Sequence, residues 1–283
     1  MLATPSTLMF PQEINIFGLK VELLWHAIAN KPEPSVVCAE EHFYLRVTDV
    51  AEYWVNPQKN QIIIERTTPE ISYSIVATWL LGTVMAYLLQ YHGYLVLHGS
   101  AVLINDHAVI ISGESGAGKS TLAAALVKQG YYLLTDDVVV VKANENGQME
   151  IVPGPAKLKL WSDALEKLEY DSNNLEQVIN KADKFQFPVT KHTMESYPIS
   201  RFYELNPVDN LSSVTFSEIL GIEKLQLLIK NTYRYGMLKA LNKFKQHFIS
   251  CSELGKQIKT FKIMRPVKVE SLTTLVQLIK NHN

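Results

Sequence analysis

Cysteine is scarce in this chain. Cys38 and Cys251 are the only two, with no C-x-x-C and no zinc spacing. That excludes a disulfide framework and fits a reducing, cytoplasmic setting. An excess of one charge is also missing, since the formal net charge is −1. Nothing in that total points to a polyanionic partner such as nucleic acid. Internal repeats and low-complexity tracts are absent. Met1–Phe10 carries no basic run of the kind that opens a secretory signal. One stretch does lack charge: Ile71–Tyr91 is long enough to span a bilayer. Yet it holds Ser72, Ser74, Thr78, Thr83 and Gln90 and has no basic flank. It reads as a buried helix entered through Thr67-Thr68-Pro69-Glu70, not as a membrane span.

What is present is a globular composition, 47% hydrophobic and 19% charged over 283 residues. That length holds one large domain or two small ones. Charge is unevenly spread: residues 1–140 carry 7 Lys and Arg against 13 Asp and Glu, and 141–283 carry 20 against 15. Between Lys224 and Lys268 stand 11 basic residues and one acid, Glu253. That run is either a surface for an acidic partner or a set of solvated helix faces.

Strand patterns crowd the beginning. Phe17, Leu19, Val21 and Leu23 alternate with polar neighbours, and Phe43–Val47 and Ala51–Val55 follow. The turn Asn56–Asn60 folds Gln61–Glu65 back as a hairpin. Residues 1–66 therefore form a β-rich N-terminal lobe, and 67–283 a second domain. Its expected elements begin with the helix 69–91 and the strand Ala108–Ile111. The helix Thr121–Gln129 ends at Gly130. A strand over Tyr131–Leu134 is interrupted at Thr135-Asp136-Asp137 and resumes over Val138–Val141. Asn146-Gly147 is a hairpin turn. Further on, Ser162 caps a helix to Glu169, and Asp171–Asn174 is a loop. Phe202–Leu205 and Thr260–Met264 are strands, and Phe216–Arg234 and Met237–Phe248 are helical. Ser271 caps the final helix, Leu272–Asn281. The class is α/β with a mixed sheet.

Gly113–Ser120 reads Gly-Glu-Ser-Gly-Ala-Gly-Lys-Ser and fits the phosphate-binding pattern G-x-x-x-x-G-K-[ST]. A strand leads in and a helix leads out, the context that pattern needs. Glycines let backbone N–H groups turn inward around a phosphate, and the helix N-terminus adds partial positive charge. The candidate contacts are Gly113, Glu114, Ser115, Gly116, Ala117, Gly118, Lys119, Ser120 and Thr121. Lys119 can reach terminal phosphates, and Ser120 can ligate Mg²⁺. The sequence thus expects ATP with Mg²⁺.

The next strand in sequence carries Asp136 and Asp137, where a metal ligand or a catalytic carboxylate belongs. Adjacent strand side chains point to opposite faces, so both reach the phosphate only if the strand bends there. Two acids in so apolar a run need partners. His98-Gly99 stands just before the loop's strand. With Lys119 and Ser120, these residues supply the parts of phosphoryl transfer to a hydroxyl.

His98-Gly99, Gly113–Ser120 and Asp136-Asp137 together resemble the catalytic core of the HPr serine kinase/phosphorylase family, specifically over about 90–141. Pro153-Gly154, Lys157–Trp161, Asn231–Arg234 and Arg265-Pro266 resemble a divergent branch that includes kinases encoded with lasso peptides. The resemblance implies a P-loop kinase core of the HPr kinase/phosphoenolpyruvate carboxykinase type, with 67–283 as the catalytic domain. It implies Asp136 as general base, Asp137 and Ser120 as Mg²⁺ ligands, and His98 beside the γ-phosphate. Lys157, Lys159 and Arg234 fall where basic residues steady phosphate charge. The family's hexamers imply a homo-oligomer. The family's Glu-x-Arg-Gly stretch is missing, so neither phosphorolysis nor HPr as acceptor is implied. The expected activity is kinase transfer to Ser or Thr of a peptide or small protein. A small-molecule alcohol kinase and a non-catalytic nucleotide-binding module remain as alternatives.

Overall fold

The computed structural model describes residues 12–171, 175–177, 183–267 and 270–282. Met1–Phe10, most of the expected loop Asp171–Asn174 and Lys268 lie outside the described residues. The chain divides into two compact units: residues 1–92 with 236–243, and 93–235 with 244–283.

The first unit is β-rich. Its strands are β1 (Glu13–Ile16), β2 (Leu19–Trp25), β3 (Val36–Cys38), β4 (Phe43–Val47), β5 (Ala51–Asn56) and β6 (Gln61–Arg66). They form one sheet in the order β1-β2-β6-β5-β4-β3, with β2 and β6 parallel and the other pairs antiparallel. The β5–β6 hairpin turns through Pro57–Lys59, with Asn60 left-handed at φ 50°. The expected helix 69–91 starts later, because the Ser72 side chain accepts from the Ser74 N–H as its cap. It runs as α1 (Tyr73–Trp79), a π-helical turn Leu80–Val84, and α2 (Met85–Tyr91). By length and composition this stretch could cross a membrane, but 67% of it is buried inside the protein. Tyr53 Oη donates to the Val76 carbonyl at 2.9 Å, and Phe43 stacks on Tyr87. These contacts draw the helix into the β-rich unit, whose first segment runs to His92, past the boundary expected at residue 66.

The second unit is a mixed α/β layer. Its strands are β7 (Leu95–Ile104), β8 (His107–Gly113), β9 (Tyr132–Ala143), β10 (Met149–Val152), β11 (Lys157–Trp161), β12 (Glu176–Gln177), β13 (Lys184–Pro188), β14 (Tyr197–Val208), β15 (Thr215–Glu218) and β16 (Lys259–Pro266). The main sheet has the order β10-β9-β7-β8-β14-β16-β15, with β8–β14 and β14–β16 parallel. A small sheet, β11-β13-β12, stands beside it. The remaining helices in chain order are α3 (Lys119–Lys128), α4 (Ser162–Lys167), α5 (Gly221–Lys230), α6 (Met237–Ala240, part of the first unit), α7 (Phe244–Gln257) and α8 (Leu272–His282). Val109 and Ile111 join the apolar cluster of α3 and α8, while Ala108 and Ile110 join that of α5 and α7. Both faces of β8 are covered, which is why its sequence is an unbroken apolar run.

Three expectations are corrected. Thr215–Glu218 is an edge strand paired antiparallel to β16, not the start of a helix from Phe216 to Arg234. The helical run expected over Met237–Phe248 is broken at Asn242, which is left-handed at φ 51°. Ser162 is the first helical residue of α4, and Trp161 stands at the cap position, its side chain making no capping bond.

Candidate active site

Parallel strands end at the same edge of a sheet. The C-terminal ends of β8, β14 and β16 therefore bring Gly113, Leu205 and Arg265 together. The chain leaves β8 through Gly113 at φ 139°, where an added Cβ would lie 2.4 Å from the Leu205 carbonyl. No other residue fits that approach. The loop closes through Ala117 N–H to the Glu114 carbonyl, and α3 begins after Gly118. Lys119 is buried and donates to the Gly113 and Glu114 carbonyls, each at 2.9 Å.

The carboxylates stand alongside. Register pairs Gly99 with both Ser112 and Asp137, and Ser100 with Asp136. The pairing slips between Ala101 and Val102, and Asp137 is left-handed at φ 73°. That is the bend that adjacent acids need, and both line one cleft of about 530 Å³ with Ser120, Lys159 and Arg265.

The two acids have different company. Asp136 Oδ1 accepts from Ser100 Oγ at 2.6 Å and Ser120 Oγ at 2.9 Å, and Oδ2 accepts from the Lys159 N–H at 2.9 Å. Asp137 Oδ2 accepts from Lys159 Nζ at 2.6 Å, and its Oδ1 lies 3.5 Å from His98 Nδ1. Burial pushes the Asp137 carboxyl up, but the Lys159 ammonium, with help from His98 and Lys184, outweighs it and holds the group below the usual carboxylate range. Burial, then the charge of Lys119, lowers His98, so its imidazole is neutral near pH 7. Burial also lowers Lys119. Lys159 is raised, because the attraction of Asp137 overcomes its burial.

Of the residues expected from sequence, Ser115, Gly116 and Gly118–Thr121 line this cleft with His98, Asp136, Asp137 and Lys159. Ala117 is buried, and its carbonyl accepts from Arg265 Nε at 2.9 Å. Gly113, Glu114 and Arg234 line a separate recess of about 320 Å³, to which His98 also contributes. Lys157 is exposed and reaches Gln186 instead of the cleft.

Ser100, Arg265, Lys184 and Asn231 went unread as site residues. Ser100 had one signal, a lone hydroxyl in an apolar strand beside His98-Gly99. Asn231 had only its place in the run Asn231–Arg234, because its role depends on a distant pairing: its carbonyl accepts from the His98 N–H at 2.7 Å, and its Oδ1 lies 2.7 Å from Ser112 Oγ.

Residues 90–191 match the family described as HPr Serine kinase C-terminal domain, so the resemblance read from the motifs is borne out over that segment. The HPr kinase/phosphorylase of Mycoplasmopsis pulmonis is 37% identical over 82 residues, 29% of this chain and 26% of that protein. That of Clostridium beijerinckii is 48% identical over 46 residues, 16% and 15% of the two. The matches thus span about a quarter or less of the length of these curated relatives. Among solved structures, the Hpr(Ser) kinase/phosphatase from Coxiella burnetii is similar with a TM-score of 0.35 and 15% identity, over 66% of this chain and 95% of that one. The protein is a mixed α/β chain with an HPr kinase-like domain and a β-rich N-terminal region.

Proposed function

We propose that this chain is an ATP- and Mg²⁺-dependent kinase that transfers the γ-phosphate to a hydroxyl of Ser or Thr in a peptide or small protein. The core is then of the HPr kinase/phosphoenolpyruvate carboxykinase type, working in the cytoplasm as a homo-oligomer. The observation that carries the reading is the convergence of Asp136, Asp137, His98 and Ser120 on one cleft at the phosphate loop. The loop fits a phosphate: its glycines leave backbone room, and Lys119 donates to the loop carbonyls of Gly113 and Glu114. Ser120 and Asp136, 2.9 Å apart, are hard oxygen donors suited to Mg²⁺. Mg²⁺, when bound, offsets charge on the terminal phosphates.

The surroundings of the two acids favour the reverse of the split that the resemblance implies. Asp136 is held by Ser100, Ser120 and the Lys159 N–H, which suits a fixed metal-side ligand. Asp137 faces His98 and, paired with Lys159 Nζ, is ionised, so it carries no proton of its own and can accept one from the hydroxyl. In the transfer, the acceptor oxygen bonds to phosphorus, its proton passes to Asp137, and the bond to the leaving diphosphate breaks. Lys119 neutralises charge on the oxygens in transfer.

The test is incubation with γ-labelled ATP and Ser- or Thr-bearing peptides, with Asp137→Asn and Asp136→Asn in parallel. Label should pass to peptide with the wild-type protein and be lost with Asp137→Asn. Undiminished transfer by Asp137→Asn would sink the base assignment.

A further inference from the structure

A second recess opens beside the main cleft, lined by Gly113, Glu114, Lys230 and Asn231–Arg234 with His98. Its floor is the segment Asn231–Tyr233, which continues the sheet where β8 turns away into the loop. There Leu97 bridges Thr232, and the Tyr233 N–H donates to the Val96 carbonyl at 2.9 Å. Among the described residues, His98 is the one that lines both spaces. Its ring lies 5.7 Å from that of Tyr233, and its Nδ1 lies 3.5 Å from Asp137 Oδ1. A chain whose hydroxyl reaches Asp137 from this side crosses His98, and its neighbouring residues lie in the recess.

The walls of the recess carry cations. Arg234 is exposed, and among the described residues no carboxylate pairs with it. Its guanidinium lies 5.5 Å from the centre of the Tyr233 ring. Its backbone is left-handed at φ 55°, a conformation that costs a non-glycine residue about 1 kcal/mol or more and is concentrated at functional sites. Lys230 lies on the same wall, 3.2 Å from the buried carboxylate of Glu204 and 57% exposed. Glu114, at the rim, is the acid on the lining. Residues 224–235 hold Lys224, Lys230 and Arg234 and no acid. Glu204 offsets Lys230, so Arg234 is the cation left over.

We propose that this recess receives the part of the acceptor flanking the reacting hydroxyl and selects an anionic side chain there, with Arg234 as the main contact. The proposal rests on the kinase reading above and adds the class of acceptor to it. A guanidinium recognises a carboxylate with paired, charge-assisted hydrogen bonds, a stronger preference than a single neutral bond supplies.

The experiment uses short peptides with a central Ser, flanked by Asp, by Gln or by Lys, and the full chain with ATP and Mg²⁺. The wild-type protein should favour the Asp peptide over the Lys peptide by roughly tenfold in kcat/KM, the scale of one charge-assisted bond. Arg234→Glu should invert that order, raising transfer to the Lys peptide while lowering transfer to the Asp peptide. A merely structural role for Arg234 lowers all three together. Thermal shift with ADP and Mg²⁺ identifies a folded variant, and Arg234→Gln, which should abolish the preference, replaces Arg234→Glu if that one does not fold. Equal transfer to all three peptides by the wild-type protein, or an unchanged order in the variant, overturns the proposal and leaves the kinase reading standing. No transfer to any peptide despite nucleotide binding overturns both.

Discussion

Asp136 and Asp137 are neighbours in sequence with separate surroundings, and substitution should separate them. Asp137→Asn should lower the rate of phosphate transfer by about 10²–10⁴, the range for losing a positioned base, with nucleotide affinity retained. Asp136→Asn should instead weaken Mg²⁺-dependent nucleotide binding. Single-turnover transfer and a nucleotide titration at several Mg²⁺ concentrations distinguish the two. Arg265 belongs to the same scale. Its Nε holds the Ala117 carbonyl, and its side chain lies against Gly118. Arg265→Gln should raise the nucleotide Kd by about tenfold, as expected for a lost charge-assisted bond, measured by isothermal titration. The sequence exposes the acids, the histidine and the loop, since their chemistry is carried by residue type and local spacing. It marks Arg265 and Asn231 only by resemblance and hides their place at the site, because parallel strands and a crossing segment bring them in from far along the chain.

At the scale of elements, α7 holds the segment that floors the recess. His247 on α7 lies 2.7 Å from Thr232 Oγ1, and 3.5 Å from Cys251 Sγ. Burial lowers its affinity for a proton below the ordinary value of 6.5. The unfolded chain therefore binds more protons at acid pH. Stability is full above about pH 6.5 and falls as pH drops through that value. Melting temperature should be lower at pH 5 than at pH 7, and His247→Gln should remove part of the difference. Element type was legible where a pattern is local. The β5–β6 hairpin and the strand–loop–helix around Gly113–Ser120 stand as read, and the left-handed Gly130 follows the cap of α3 at Gln129. It was illegible where pairing decides. Phe216 lies next to a helix-like apolar run, but Thr215–Glu218 gains a hydrogen-bonding neighbour in β16, and that wins over propensity. The π-helical turn at Leu80–Val84 has no signature in residue type either.

For the whole molecule, the residues lining the main cleft all belong to the second unit. Of the four tryptophans, Trp25, Trp54 and Trp79 belong to the first unit, and Trp161 lines the cleft. Nucleotide with Mg²⁺ should raise the unfolding transition of the second unit by about 2.7 kcal/mol at a hundredfold excess over Kd. Calorimetry with and without ADP measures that shift. A change in tryptophan emission on nucleotide binding should depend on Trp161 and disappear in Trp161→Phe.

The chain reaches the first unit twice, through residues 1–92 and again through 236–243. That has a consequence for biosynthesis. As the polypeptide leaves the ribosome, the β-rich unit lacks its last helical turn until residue 243 has emerged, long after its sheet strands are available. The kinase-like unit is interrupted at the same place and waits for residues 244–283. Neither unit is complete when its first segment has been made, so each matures only once its later segment has been translated, and a nascent chain arrested before residue 236 should resist proteolysis less than one that includes residues 236–283.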